Sequence, residues 1–212
     1  MMKNICLPIL TVLFATLSLS AQYSVSGVSK REDQVPIFNS KVFISNAGGT
    51  MLDSVLTNEQ GEYFFDDLPS GEYALSATKF DEPLNGITAY DIHLTTLHIT
   101  GLVPLNSVNK IIAADVNHSG ALTAYDLVEY NNILMGLPPS NPNSFLGWYF
   151  FDENYVFNNP VNPWATDFPT DFPTDGNNPT LLTVQITDSN IENVNFIGFK
   201  IGDLDLDNDP TN

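Results

Sequence analysis

Basic residues are scarce in this chain: seven Lys and Arg stand against 25 Asp and Glu in 212 residues, a formal net charge of −18. A surface of that sign repels phosphate backbones and anionic headgroups, which excludes nucleic acid and acidic membranes as partners. Cysteine is almost missing. Cys6 is the single one and precedes an N-terminal apolar run, so neither a disulfide framework nor a cysteine nucleophile is expected once that run is removed. Beyond Leu19 no stretch approaches the roughly twenty apolar residues needed to cross a bilayer. The sequence also lacks a G-x-S-x-G elbow, a P-loop and a glycine-rich dinucleotide turn. Acid pairs abound, but with 25 acids their proximity in sequence is uninformative, and the chain does not read as an enzyme.

What is present begins with a leader. Lys3 precedes the apolar run Leu7 to Leu19, followed by the small residues Ser18, Ser20 and Ala21, the pattern of a cleavable secretory signal. Its removal takes away Lys3 and no acid, moving the charge from −18 to −19. The expected protein is secreted and has no membrane span. Its length and shifts of composition divide it into 1–21 (signal), 22–80 (short strands), 81–138 (loops and helices), 139–202 (aromatic, proline-rich and β-rich) and 203–212 (acidic tail). The fold class is multi-domain, β plus small α.

The most informative segment runs from Asp115 to Asp126. Oxygen-bearing side chains occupy positions 1, 3, 5, 9 and 12 (Asp115, Asn117, Ser119, Thr123, Asp126), and Gly120 stands at position 6. Calcium takes six to eight oxygens, and a twelve-residue loop supplies them when a glycine allows a sharp mid-loop turn. The Ala121 carbonyl would fill position 7, and Leu122 would anchor the loop in a core. The ending recurs earlier, where Asn85-Gly86-Ile87-Thr88-Ala89-Tyr90-Asp91 echoes Ser119 to Asp126 with one residue deleted, Thr-Ala-Tyr-Asp included. Two such units are expected to pack together, since one alone cannot bury its apolar face.

These residues resemble the dockerin family, paired loop-helix calcium modules that attach secreted proteins to cohesin partners in polysaccharide-degrading assemblies. The likeness covers about residues 81–138. It implies Ca²⁺ in the second loop on Asp115, Asn117, Ser119, Thr123 and Asp126, and a similar but weaker site in the first. It also implies that positions 10 and 11, Ala89 with Tyr90 and Ala124 with Tyr125, face a partner, cohesin-like or another extracellular protein. The first loop is a residue short, with Asp81, Asn85, Thr88 and Asp91 as its obvious oxygens. With two carboxylates, the second loop is expected to bind calcium weakly, on the order of 10⁻⁴ to 10⁻³ M.

Residues 22–80 alternate apolar and polar side chains, as in Tyr23 to Val28, Lys41 to Ile44 and Asp53 to Leu56, the period of strands. The stretch from Thr57 to Ala77 reads as a hairpin, with Gly61 and Gly71 supplying positive φ and Tyr63, Phe65, Leu68 and Tyr73 facing a core. Gly61, Tyr63, Leu68, Pro69, Gly71 and Tyr73 resemble the signature of the carboxypeptidase regulatory-like family of small β-sandwiches. That resemblance implies a spacer or stabiliser and brings no catalytic residue.

Ile92 to Ile99 has helical spacing and a stop at Gly101, and Leu127 to Leu137 repeats the pattern. His93 and His98, five apart, do not share a helical face and read as ordinary helix residues. In the aromatic region, Trp148, Trp164 and Phe168 would form a sugar-stacking surface if exposed. Leu181–Ile186 and Val194–Ile201 read as a hairpin across 188–190 beside the loop-helix pair. Asp203, Asp205 and Asp207 have 1, 3, 5 spacing without a following glycine, and read as a solvated acidic tail. The expected function is a secreted, non-catalytic, calcium-binding docking or scaffold protein. The alternatives are a structural or adhesion protein merely stiffened by calcium, and a polysaccharide-binding accessory protein.

Overall fold

The computed structural model describes residues 21–80, 83–138, 147–165 and 180–211. Eight strands form two four-stranded sheets. They are β1 (Tyr23–Lys30), β2 (Lys41–Asn46), β3 (Met51–Leu56), β4 (Glu62–Leu68), β5 (Gly71–Thr78), β6 (Trp148–Asp152), β7 (Leu182–Ile186) and β8 (Phe196–Lys200). One sheet has the order β4-β1-β8-β6 and the other β3-β2-β5-β7. Three helices lie between β5 and β6: α1 (Ala89–Ile99), α2 (Val108–Ala114) and α3 (Ala124–Leu134). Residues 1–20 of the expected leader (1–21), Asp81, and the stretch holding Phe168 lie outside the described residues.

The sheets pack face to face because alternate residues of both turn inward. Val25, Val42, Ile44, Tyr63, Phe65, Tyr73 and Leu75 are joined by Trp148, Phe150, Leu182, Ile186 and Phe196 in one buried cluster. The C-terminal strands therefore belong to the sandwich itself: β8 runs parallel to β1, and β7 pairs antiparallel with β5. This corrects the expected hairpin between 181–186 and 194–201, whose two strands lie in opposite sheets. Alternation fixes which side chains turn inward but is silent on which sheet receives the strand.

The expected hairpin from Thr57 to Ala77 is corrected in the same way. β4 pairs with β1 while β5 pairs with β2, so the chain at Pro69 crosses between sheets, held by the Tyr73 hydroxyl donating to the Pro69 carbonyl at 2.8 Å. Gly61 has the expected positive φ of 72°, whereas Gly71 does not; the left-handed residue near this corner is Asp67, at 55°. The aromatic anchors are where the pattern put them, with Tyr63, Phe65, Leu68 and Tyr73 all buried. Trp148 is also buried, 3% exposed, which removes it from any sugar-stacking surface.

The outer face of the β6–β8 pair carries a second core. Phe151 and Phe199 stack with centroids 5.3 Å apart and cluster with Ile87, Ile112, Val116, Tyr130, Ile133, Ile201 and Leu204. Residues of β6 and β8 thus alternate between the sandwich interior and the helices, and one strand pair fastens both layers. α2, which the sequence pattern did not reveal, is capped by Ser107, whose hydroxyl donates to Glu32 of the β1–β2 loop while Glu32 also accepts from Asn109 at 3.1 Å.

Close approach, not turn geometry, requires glycine at 27. A Cβ there would lie 1.9 Å from the Val194 carbonyl oxygen, which the Tyr63 hydroxyl also binds. Gly27→Ala is expected to destabilise the protein by about 2 kcal/mol or more, since backbone must move to admit the methyl group. Gly48→Ala, whose nearest neighbour is 3.3 Å away in a side chain, should change the denaturant midpoint little.

Candidate metal centre

α1 and α3 begin alike. Thr88 and Thr123 are N-caps with extended backbone, each accepting from the amide two residues on, and Asp91 and Asp126 complete capping boxes by accepting from the N-cap amide at 2.8 Å in both cases. Thr-Ala-Tyr-Asp therefore has a local reason to recur. It starts a helix and places a buried carboxylate at the positive end of the helix dipole. Asp91 and Asp126 are both fully buried.

In the loop before α3, Asp115 caps the end of α2 and is 3% exposed. Its carboxylate accepts from the Ser119 amide at 2.9 Å and the Gly120 amide at 2.8 Å, while Asn117 Oδ1 accepts from Ser119 at 2.9 Å. His118 (φ 54°) and Gly120 (φ 76°) make the left-handed turns that fold positions 3 to 6 back over Asp115. The Asn117 amide donates to Asp126 at 3.4 Å, and Ser119 Oγ to the Ala121 carbonyl at 3.0 Å. Leu122 is partly buried in the second core. Asp115, Asn117, Ser119, the Ala121 carbonyl, Thr123 and Asp126 thus converge in one loop, whose donor set of oxygens suits a hard divalent cation. Trp164, in the 3-10 turn Pro163–Ala165, packs against Gly120, where a Cβ would meet its ring at 3.7 Å.

The first loop is completed from elsewhere. Of its expected ligands, Asp81 lies outside the described residues, and Asn85, Thr88 and Asp91 are joined by the segment after β8. Asp91, Asp203 and Asp205 place one carboxylate oxygen each within 4.8 Å of one another. The residues from Asp203 follow the start of the second loop through position 5, with Asn208 where that loop has Gly120. Leu204, like Val116, is fully buried. Leu206 has φ 64° where His118 has 54°. Asp203 accepts from Leu206 at 2.8 Å and Asn208 at 3.4 Å, and Asp205 from Asp207 at 3.3 Å. The Leu204 amide donates to Asp91 at 2.7 Å.

The expected solvated tail is thereby corrected: Asp203, Leu204 and Asn208 are 1%, 0% and 4% exposed. Asp203 and Asp205 were missed as site residues because their partner half-loop lies more than a hundred positions earlier. Their 1, 3, 5 spacing was the available signal. His98 takes a structural part, its Nδ1 accepting from the Leu105 amide at 3.0 Å. At positions 10 and 11, Ala89 and Ala124 are open, and Tyr90 and Tyr125 are 53% and 77% exposed.

Crowded burial sets the acidity of these groups. Burial, partly offset by the Ser119 and Gly120 amides and reinforced by Asp126, raises Asp115 to about 6. Burial and the charge of Asp91 raise Asp203 to about 7, against the Leu206 and Asn208 amides. Asp91 and Asp126 are raised for the same first reason. Each carboxylate is costly to ionise without a nearby cation.

No protein-family model and no curated protein matches the chain. Solved structures give partial similarities. The T6 backbone pilin of serotype M6 Streptococcus pyogenes matches over 32% of this chain at 18% identity with a TM-score of 0.28. The Bacillus anthracis TIE protein matches over 29% at 19% identity and 0.26, and Klebsiella pneumoniae 5-hydroxyisourate hydrolase over 26% at 29% identity and 0.24. The aligned parts span 14%, 13% and 55% of those chains. At such scores they carry no weight for function, which rests on the site.

Without divalent cations, stability should depend on pH in a defined direction. Carboxyls with raised folded-state values bind protons more tightly folded than unfolded, so their stabilisation is full below about pH 4 and is lost as pH rises through about 6 to 7. In chelator, the melting temperature should fall from about pH 4 to 7. The fall should be shallower in Asp203→Asn and in saturating calcium. An equal slope in all three would contradict this account.

Proposed function

We propose that the protein is a secreted, non-catalytic scaffold or docking module whose loop-helix layer is ordered by calcium. The observation that carries this reading is the second loop: two buried carboxylates, Asn117, Ser119, Thr123 and the Ala121 carbonyl brought together in twelve residues between α2 and α3. The resemblance to dockerins supports the choice of calcium, and the leader supports export. Among the described residues no helix is long and apolar enough to cross a membrane. The role of the ion is to neutralise carboxylates that burial would otherwise hold protonated, fixing the start of α3 against the β6–β8 face.

Thermal unfolding in calcium and in chelator tests the reading. Calcium at a hundredfold over its dissociation constant should add about 2.7 kcal/mol to the folded state. Asp115→Ala with Asp126→Ala should remove the share of that shift due to the second loop, and an undiminished shift would refute the assignment.

The exposed Tyr90 and Tyr125 favour docking over pure stiffening, since two large aromatic side chains at equivalent helix starts form a repeated contact feature. A calcium-dependent extracellular protein partner should lose at least tenfold in affinity on Tyr125→Ala, a size usual for an aromatic anchor, while the melting temperature stays within about 2 °C. Unchanged affinity would leave calcium as a stiffener alone.

A further inference from the structure

We infer that the protein holds a second divalent cation in a site divided between two distant segments, Asp203, Asp205 and Asp207 supplying the first half-loop and Gly86, Thr88 and Asp91 the second, and that this ion straps the C-terminal segment to the start of α1. The site deepens the calcium reading but stands on its own residues. In a contiguous loop the chain runs from position 6 to position 7. Here the two half-loops are stitched instead, by the Asp209 amide donating to Asn85 Oδ1 and Asn85 Nδ2 to the Asp209 carbonyl, both at 2.9 Å. A Cβ on Gly86 would sit 2.4 Å from that of Asn208, so glycine is what lets the halves close. Arg31, 6% exposed, holds the segment from the sandwich side, its Nη1 donating to the Asn208 carbonyl at 3.0 Å and to Asn208 Oδ1.

A second observation, separate from the acids, points to an occupant. The Tyr130 hydroxyl is fully buried and makes no hydrogen bond of normal geometry, yet lies near enough to Asp91, Asp126 and Asp203 to feel each charge. Thr95 Oγ1, the one hydroxyl close enough to act on it, is equally buried and likewise makes no hydrogen bond of normal geometry. A buried hydroxyl left without a well-formed hydrogen bond among carboxylates fits a site that holds a cation and the water it carries.

Three to four carboxylates against two in the second loop also order the affinities, because charge count tightens calcium sites. The divided site is the tighter one, the reverse of what the shortened first loop suggests by itself.

Calcium titration calorimetry of the whole protein, paired with hydrogen exchange at Leu204, Leu206 and Asn208, tests the inference. Wild type should bind two ions, and Asp203→Asn with Asp205→Asn should lose the tighter one. Asp115→Asn with Asp126→Asn should lose the weaker one. Chelation should speed exchange at the three tail amides at least tenfold while the β5–β7 amides stay protected. The milder Asp207→Asn, at an exposed position, should weaken the tighter constant several-fold without unfolding the chain. Retention of both ions by the Asp203/Asp205 variant, unchanged tail exchange on chelation, or an unaltered tight constant in Asp207→Asn would each overturn the strap. If only the Asp115/Asp126 variant leaves binding untouched, the second-loop assignment fails and the divided site remains.

Discussion

Four aspartates, Asp91, Asp115, Asp126 and Asp203, are held at 3% exposure or less within one small layer, and the rest of the architecture answers to that concentration of negative charge. An isolated buried carboxylate costs several kcal/mol unless it is neutralised or richly hydrogen-bonded. Each of the four accepts backbone N–H groups, and two sit at helix N-termini where the dipole favours an anion. Those contacts lower the cost without cancelling it, and burial leaves the pKa of all four raised above the usual carboxylate range. Protons settle the remainder at low pH, and on the proposed function a divalent cation would do so near neutrality.

The sandwich is the platform that makes such burial tolerable. β6 and β8 send Trp148, Phe150 and Phe196 inward and Phe151 and Phe199 outward, so the helices rest on a face that is already rigid. β8 also ends at Lys200, three residues before Asp203. Its parallel pairing with β1 at Ser29 and Lys30 brings the C-terminal segment beside Arg31 and Glu32, which bind Asn208 and the start of α2 respectively. One short stretch after β1 therefore touches the tail and the helix layer at once. The ion pair of Lys30 with Glu153 at 2.6 Å, with Asn195 donating to the same carboxylate at 2.8 Å, adds a polar seam at the same end of the sheet.

How much of this was legible in the sequence followed from how local each feature is. The second loop could be read from Asp115 to Asp126 because all its oxygens and its glycine lie in twelve consecutive residues. The capping repeat Thr-Ala-Tyr-Asp was legible for the same reason, as were the buried faces of the strands. Sheet partners were not. Tyr63, Phe65 and Tyr73 point inward whether β4 and β5 pair with each other or lie in opposite sheets, so the alternation that identified them could not separate the two topologies. The tail failed for a related cause. Asp203 to Asp209 has the spacing of the first half of a loop, and Asn85 to Asp91 the composition of the second half, but nothing in a linear pattern says that 118 positions can be bridged by β8 returning alongside β1.

Dividing a loop across the chain changes what the ion reports. A contiguous loop closes over about a dozen residues whatever the rest of the molecule does, so its affinity is a local property. Joining half-loops through a long intervening chain in a disordered state would carry the closure entropy of that length, which grows as the logarithm of the number of residues. In the folded protein most of that entropy is already lost, because β8 delivers Asp203 and α1 delivers Asp91 to their places. Affinity at the divided site is thus conditional on the sandwich being folded, and by linkage the ion stabilises the sandwich in turn. A module built this way would add an ionic link to the apolar core that Phe151 and Phe199 already share with the helices, and so couple the sandwich more closely to the layer that displays Tyr90 and Tyr125.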